Sequence, residues 1–301
     1  MPQGSNLGPL LFLLFINDIN TAIVHSDYLL YADDLKIFKS IRSTSDSLSL
    51  QKDLDSLWKW SLENRLPFSI GKCHFLSFSR KLDPLRFSYN LGGNSLNKEK
   101  KTLDLGILFT EKLDFSDHII NLSVRSSKML GFVMRTANQF KNLLAIRSLY
   151  DTLVRSILEY GSIIWNPNTA KYSLILEKIQ RKFLRYLYLR EFGYYPSEYP
   201  SMFILGTLGY NTLSSRRNVY LIKHFFKVLR GVTHCPSILS ELQLVASEHP
   251  RTLRSRGVFN PINARTKILM DSPLARAIRL LNEISAEIDI FHISYGELEN
   301  F

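Results

Sequence analysis

The chain has 301 residues, enough for one large domain or two ordinary ones, and a chain of this length buries roughly 75% of the surface it exposes when unfolded. With 45% apolar and 22% charged residues the composition excludes collagen-like, coiled-coil-only and wholly disordered classes. The net charge of +11 is unevenly placed: residues 1–120 carry 14 Lys and Arg against 14 Asp and Glu, whereas residues 121–282 carry 24 against 8, a surplus that predicts a polyanion partner.

Two cysteines, Cys73 and Cys235, supply no disulfide framework, and no Cys/His cluster has zinc-finger spacing. A reducing, intracellular setting is expected, with cytoplasm or nucleus left open. The longest apolar run, Leu10 to Ile16, falls well short of the ~20 residues of a membrane helix, and no basic residue precedes it as in a signal peptide. No membrane partner is expected.

In chain order, a Pro2-Gln3-Gly4-Ser5 turn leads into a helix over Leu10–Ile16 that is apolar on every side and predicted to be buried nearly all round. A buried helix needs neighbours, and one lacking them exposes an apolar patch, with aggregation or dependence on a partner as the consequence. From Asp27 to Phe38, two apolar runs, Tyr28-Leu29-Leu30-Tyr31-Ala32 and Leu35-Lys36-Ile37-Phe38, flank Asp33-Asp34, which reads as a hairpin with two carboxylates at its tip. Residues 44–63 are predicted helical from the spacing of Leu50, Leu54, Leu57, Trp58 and Leu62 behind a Ser/Thr-rich start. Strand-like pieces follow at Cys73–Ser79, Phe87–Leu91 and Leu103–Phe109, separated by Asp83-Pro84 and Gly92-Gly93-Asn94. The first 115 residues thus read as α+β, built round an antiparallel sheet.

Beyond residue 115 the pattern is helical. Ile146 to Leu158 keep an i, i+3, i+4 repeat ending at Gly161, a helix from about Tyr172 buries Ile175, Ile179, Phe183 and Leu187, and another covers about Thr212–Arg230. Lys178, Arg181, Lys182 and Arg185 lie mostly off the apolar stripe, and Arg216, Arg217, Lys223 and Lys227 are interleaved with the next one. The stretch 248–271, rich in arginine and poor in periodicity, is expected to be a loop or extended arm.

Adjacent carboxylates repel; at ~4 Å and an effective dielectric of 20 the cost is about 4 kcal/mol. A divalent cation removes that repulsion, and Mg²⁺ commonly takes one or two carboxylates with water and substrate phosphates completing its shell. Aspartate is also a common turn residue, so a bare Asp-Asp between strands is more often a turn than chemistry.

Tyr31-Ala32-Asp33-Asp34 between hydrophobic strands, preceded by Pro2-Gln3-Gly4-Ser5-x-Leu7-Gly8-Pro9, resembles the palm motifs of reverse transcriptases. Lys72-Cys73 in a strand, Leu103-Asp104-Leu105-Gly106-Ile107, Leu113-Asp114-Phe115-x-x-His118-Ile119, Leu158-Glu159-Tyr160, Trp165-Asn166-Pro167, Glu177-x-Ile179-Gln180-Arg181-Lys182-Phe183-Leu184-Arg185, Arg216-Arg217 and Ser272-Pro273-Leu274-x-Arg276 extend the resemblance along the chain. They resemble the non-LTR, LINE-type retrotransposon branch, the jockey-like elements in particular.

The resemblance implies an RNA-directed DNA polymerase working by two-Mg²⁺ (or Mn²⁺) nucleotidyl transfer, with RNA template, DNA primer and dNTP as partners. It implies a partial palm over residues 1–115, a helical thumb over 116–200 and a C-terminal helical extension with a basic arm over 201–301. Asp33 would be the direct metal ligand with Asp34 assisting, and Lys72 a counter-charge or proton donor for the triphosphate. Gln3, Gly4, Tyr31 and Ala32 would line the nucleotide pocket, and Leu105 and Gly106 would belong to the primer grip. Lys178, Arg181, Lys182 and Arg185 would contact phosphates, with Tyr186 and Tyr188 as stacking candidates that are more often core; His118 and Cys73 read as structural. Met1 stands where the family pattern is already mid-palm, so the first metal-binding aspartate is missing. These 301 residues alone are therefore expected to bind Mg²⁺ weakly and not to synthesise DNA without the upstream part of the polymerase. The alternative is a non-catalytic binder of RNA or RNA–DNA hybrid.

Overall fold

The computed structural model describes residues 5–79, 81, 83–245, 257–285 and 289–292, and divides into two compact units, Met1–Asp114 and Phe115–Phe301. Mixed helix and short β-ladders make the chain α+β.

In the first unit, α1 (Gly8–Ile16) runs into a 3₁₀ turn (Asn17–Ala22), followed by the hairpin β1 (Asp27–Tyr31) and β2 (Asp34–Phe38) and by α2 (Thr44–Glu63). Ile16, Ile19, Ala22 and Ile23 pack with Leu57 and Trp60 of α2, and Leu30, Leu35 and Ile37 of the hairpin close over them. Trp60, which the predicted apolar stripe omitted, is buried, while Leu62 is exposed. The Asp18 carboxylate accepts the Trp60 indole N–H at 3.2 Å, which satisfies the ring's polar atom as it turns inward.

The start of β1 is fixed by a buried carboxylate. Asp53, on the inner face of α2, accepts the backbone N–H of Val24 at 3.1 Å and of His25 at 3.0 Å. Charge-assisted bonds of this kind contribute about 1.5–3 kcal/mol each. Asp53→Ala is therefore expected to lower the stability of this unit by about 3 kcal/mol, read as a fall in the urea midpoint; a loss below 1 kcal/mol would show that the two N–H groups find other acceptors.

In place of the predicted antiparallel sheet, the described residues form four separate two-stranded ladders. β3 (His74–Leu76) pairs in parallel with β6 (Asn97–Glu99), β4 (Asn90–Leu91) antiparallel with β5 (Asn94–Ser95), and β7 (Lys101–Asp104) antiparallel with β8 (Ile107–Thr110). The Leu103–Phe109 piece is thus two strands folded on each other at Leu105-Gly106. At Gly92, with φ +58°, an added Cβ would fall 2.3 Å from the Trp58 ring, so only glycine lets this turn close on α2.

α1 also departs from expectation. Only Ile16 is buried; Leu10, Leu11, Leu13, Leu14 and Phe15 are each 44–67% exposed. The helix is apolar all round, but the first unit covers a single edge of it, leaving the apolar patch that an uncovered helix implies.

The second unit is helical: α3 (Ser116–Ala137), α4 (Leu143–Tyr150) continuing through a π-helical turn (Asp151–Arg155) into α5 (Ser156–Glu159), then α6 (Ser162–Trp165), α7 (Ala170–Phe192), α8 (Ser201–Thr207), α9 (Leu213–Leu229), α10 (Pro236–Glu241), α11 (Lys267–Met270) and α12 (Pro273–Ile284). α3 packs along α7, and Tyr150 stacks on Phe183 with ring centroids 3.8 Å apart. α9 and α12 build a second core around Phe225, Phe226, Phe259, Ile278 and Leu281. Gly161, φ +63°, ends the α4–α5 run as expected for a left-handed cap. In the expected arm, residues 246–256 lie outside those described; residues 257–266 hold no helix, and α11 and α12 follow.

His118 is buried on α3, its ring 5.4 Å edge-on from Trp165. Burial, with the nearby Arg125 adding to it, holds its pKa below the ordinary histidine value, and burial with Lys227 does the same to His224. A depressed pKa means that the unfolded chain takes up the proton first. The contribution to stability is complete above the unfolded value, about pH 6.5, and is lost as pH falls through the folded-state values. Urea midpoints are expected to drop between pH 7.5 and 5.5, and less so in His118→Phe; an unchanged drop in that variant would assign it elsewhere.

Candidate functional site

The β1–β2 hairpin turns on Ala32-Asp33, one residue earlier than the sequence suggests: Asp34 is already in β2, paired with Tyr31. Pairing sets the faces. Leu30 and Leu35 point to the core with Ile37, whereas Tyr31, Asp34, Leu29 and Lys36 share the outer face. Ala32 has φ +51°, a left-handed conformation that costs a non-glycine residue of order 1 kcal/mol and that a two-residue hairpin turn demands. Asp33 and Asp34 are both exposed, and no cation among the described residues pairs with either.

A second hairpin is tied to this one. Lys36 Nζ lies 2.6 Å from Asp104 Oδ1, so the lysine two residues after Asp34 holds the last residue of β7. Directly after Asp104 come Leu105 and Gly106, at φ +44° and +82°, the two-residue turn of β7–β8. Leu105, like Ala32, is a non-glycine residue in the left-handed region. β3 joins through His74 Nε2, 2.7 Å from Thr102 Oγ1 of β7.

Lys72 lies in a 3₁₀ turn (Ile70–Lys72) rather than in the strand, because β3 begins only at His74. It is exposed, and no hydrogen bond or ion pair joins it to Asp33 or Asp34. Gln3 and Gly4 lie outside the described residues. The structure therefore brings Tyr31, Ala32, Asp33 and Asp34 together on one hairpin end and links that hairpin to the one bearing Leu105 and Gly106.

Two exposed, unneutralised neighbouring carboxylates suit one divalent ion with water and phosphate completing its shell. Among the described residues no group of three or more His, Cys, Asp or Glu side chains forms a fuller cage.

In the second unit, Lys178 and Lys182 are exposed on α7 and Arg181 half-buried; none of the three is in an ion pair among the described residues. With Ser123, Ser127 and Leu130 of α3, Lys178 and Lys182 line a cleft of about 250 Å³. Arg185 is partly used internally, donating to Pro196 O at 3.1 Å. Tyr188 is core, and the Tyr186 hydroxyl reaches Met134 O and Asn138.

Several motifs quoted from the sequence meet here as framework. Arg216 binds both Glu159 oxygens, at 2.5 and 3.1 Å. Arg217 is 1% exposed, donates to Asn166 Oδ1 at 2.7 Å and has its pKa pushed down to about 10 by burial. Glu177 accepts from Ser214 N, and Gln180 bridges Tyr150 and Asn211 O. Arg216 and Arg217 are thus withdrawn from the cationic surface that the charge count suggested. The signal was the recurrence of an acid and an arginine in two separate motifs, which does not say that they meet.

Residues 1–134 match the reverse transcriptase (RNA-dependent DNA polymerase) family. The chain is 26% identical over 190 residues to the retrovirus-related Pol polyprotein from type-1 retrotransposable element R1 of Bradysia coprophila, covering 60% of this chain and 19% of that protein. It is 26% identical over 195 residues to the RNA-directed DNA polymerase from mobile element jockey of Drosophila melanogaster and 28% over 197 residues to that of Drosophila funebris, in each case 62% of this chain and 21% of the relative. The chain therefore spans about a fifth of the length of these curated relatives. No solved structure matches it significantly. The reverse transcriptase match over residues 1–134, with the Tyr31-Ala32-Asp33-Asp34 hairpin inside it, and the likeness to these polymerases support a non-LTR reverse transcriptase.

Proposed function

We propose that this chain supplies the carboxylate-bearing hairpin of an RNA-directed DNA polymerase and the cationic helices that hold its template and primer. The observation that carries this is the Lys36–Asp104 pair, which ties the hairpin end bearing Asp33 and Asp34 to the hairpin whose turn is Leu105-Gly106. Residues 1–115 act as part of the palm, 116–200 as the thumb and 201–301 as the C-terminal extension.

Asp33 and Asp34 would hold Mg²⁺ or Mn²⁺, which when bound neutralises charge developing on the attacking and leaving oxygens of phosphoryl transfer. Asp33, in the turn, faces the incoming nucleotide, and Asp34, anchored opposite Tyr31, sets its position. Tyr31 and Ala32, with Gln3 and Gly4, bound the nucleotide pocket. Lys72 balances triphosphate charge, and Leu105 and Gly106 seat the primer end. Because two aspartates are half of a two-ion cage, the 301 residues by themselves leave primer unextended on an RNA template. Robust extension that disappears in Asp33→Ala would show that the cage is complete.

Lys178, Arg181, Lys182 and Arg185 hold phosphates and read no sequence. Binding of a labelled RNA–DNA hybrid is expected to weaken steeply between 50 and 200 mM salt, and Lys178→Gln with Lys182→Gln to reduce the slope of log K against log salt by about 1.8. A salt-independent affinity would remove the phosphate-holding role.

A further inference from the structure

The C-terminal end of α7 gathers more aromatic rings than the core uses. Tyr188 is 3% exposed and forms the footing; Phe192, Tyr194 and Tyr199 lie 4.4, 5.5 and 6.0 Å from it, centroid to centroid, and Phe203 follows 4.9 Å beyond Tyr199. Tyr195 makes five outer rings, each 38–55% exposed. A contiguous exposed patch of this kind marks an interaction surface.

The rings are held in place. The hydroxyls of Tyr188 and Tyr194 are 2.8 Å apart, and Arg185 both donates to Pro196 O and sets its guanidinium 6.0 Å from the Tyr195 centroid. Arg185 is also the end of a cationic row: at 1.5 Å per residue, Lys178, Arg181, Lys182 and Arg185 occupy one side of α7 over about 10 Å. A polyanion following that row arrives at the rings.

The two features together select the ligand. A duplex offers phosphates but keeps its base faces stacked inside, and an apolar protein surface would cover the rings and leave the lysines without counter-charge. An unpaired nucleic-acid strand offers both phosphates and free π-faces. Resting on the nucleic-acid role proposed above, we propose that the end of α7 and residues 193–203 form a base-stacking platform for a single-stranded segment of RNA or DNA, next to the phosphate-holding row.

The test is fluorescence anisotropy on the full chain with three kinds of probe of equal phosphate number: a labelled single strand, in RNA and DNA forms, an abasic strand of the same length, and a duplex of half that length. The native chain should prefer the single strand to the abasic one. Tyr195→Ala and Phe203→Ala, both at exposed positions, should each weaken single-strand binding roughly fivefold to a hundredfold. Their salt slope should be unchanged, since no phosphate contact is lost, and the abasic strand should be indifferent to them. Tyr195→Trp should keep native affinity and show indole quenching on binding. Equal losses on single, duplex and abasic strands, or no loss at all, would overturn the platform while leaving the nucleic-acid role intact. Failure of the native chain to bind any probe would overturn both.

Discussion

Asp33→Asn is expected to lower templated DNA synthesis by roughly a thousandfold when residues 1–134 replace the matching region of a jockey polymerase, with hybrid affinity unchanged. Asparagine keeps the size of the side chain and removes one negative charge, and each 1.36 kcal/mol lost from stabilisation of the transition state is tenfold in rate. A metal ligand of this kind contributes several kcal/mol. Asp34→Asn should lose less, because Asp34 is fixed in β2 opposite Tyr31 while Asp33 stands in the turn. Asp27→Asn is the control: it removes a carboxylate from the other end of the same hairpin, where Asp27 pairs with Phe38, so activity should stay within a few fold. Incorporation by Asp33→Asn within tenfold of the parent would remove this residue from the proposed metal site. Loss of hybrid binding in the same variant would trace the defect to folding instead.

The hairpin carrying these residues was legible because two short apolar runs, interrupted by two carboxylates, have few other readings. α2, α7 and α9 were legible from their 3.6-residue repeat. α3 was not delimited, for a physical reason: Ser126 occupies a fully buried position on its stripe, tolerated because its hydroxyl bonds Leu122 O at 2.7 Å, and Ala137 occupies another. α12 hides similarly, with Ala275 and Ala277 among its four buried residues. Which strand pairs with which was not encoded locally, since β3 and β6 are separated by twenty residues and join in parallel. α1 shows the opposite limit, because its apolarity predicts a need for cover but does not supply the neighbours. In the site, Asp33 and Asp34 could be found by adjacency, whereas the Lys36–Asp104 pair joins residues far apart in sequence, and no spacing rule connects them.

Glu159→Gln is expected to destabilise the second unit by about 3–5 kcal/mol, a large part of the 5–15 kcal/mol typical of a whole domain. The carboxylate is 9% exposed and accepts from Arg216 through both oxygens and from the Tyr220 hydroxyl at 3.1 Å, with Arg155 Nε 3.9 Å away. Its hydrogen bond is the main reason that the Arg216 pKa is raised. Removing its charge leaves Arg216 half-buried without its bidentate partner and frees Arg155 to rely on Asp151 alone, 2.8 Å away. The cost is that of a stranded cation rather than the net worth of the pair, so the double variant Glu159→Gln, Arg216→Met should recover part of the loss. By contrast, the exposed Asp289–His292 pair should be nearly silent when broken. Urea denaturation of the single and double variants provides the measurement. A single-variant loss below 1 kcal/mol, or a double variant no better than the single, would show that α5 and α9 are joined by apolar packing and that the acid and arginine of the two motifs meet without supporting the fold.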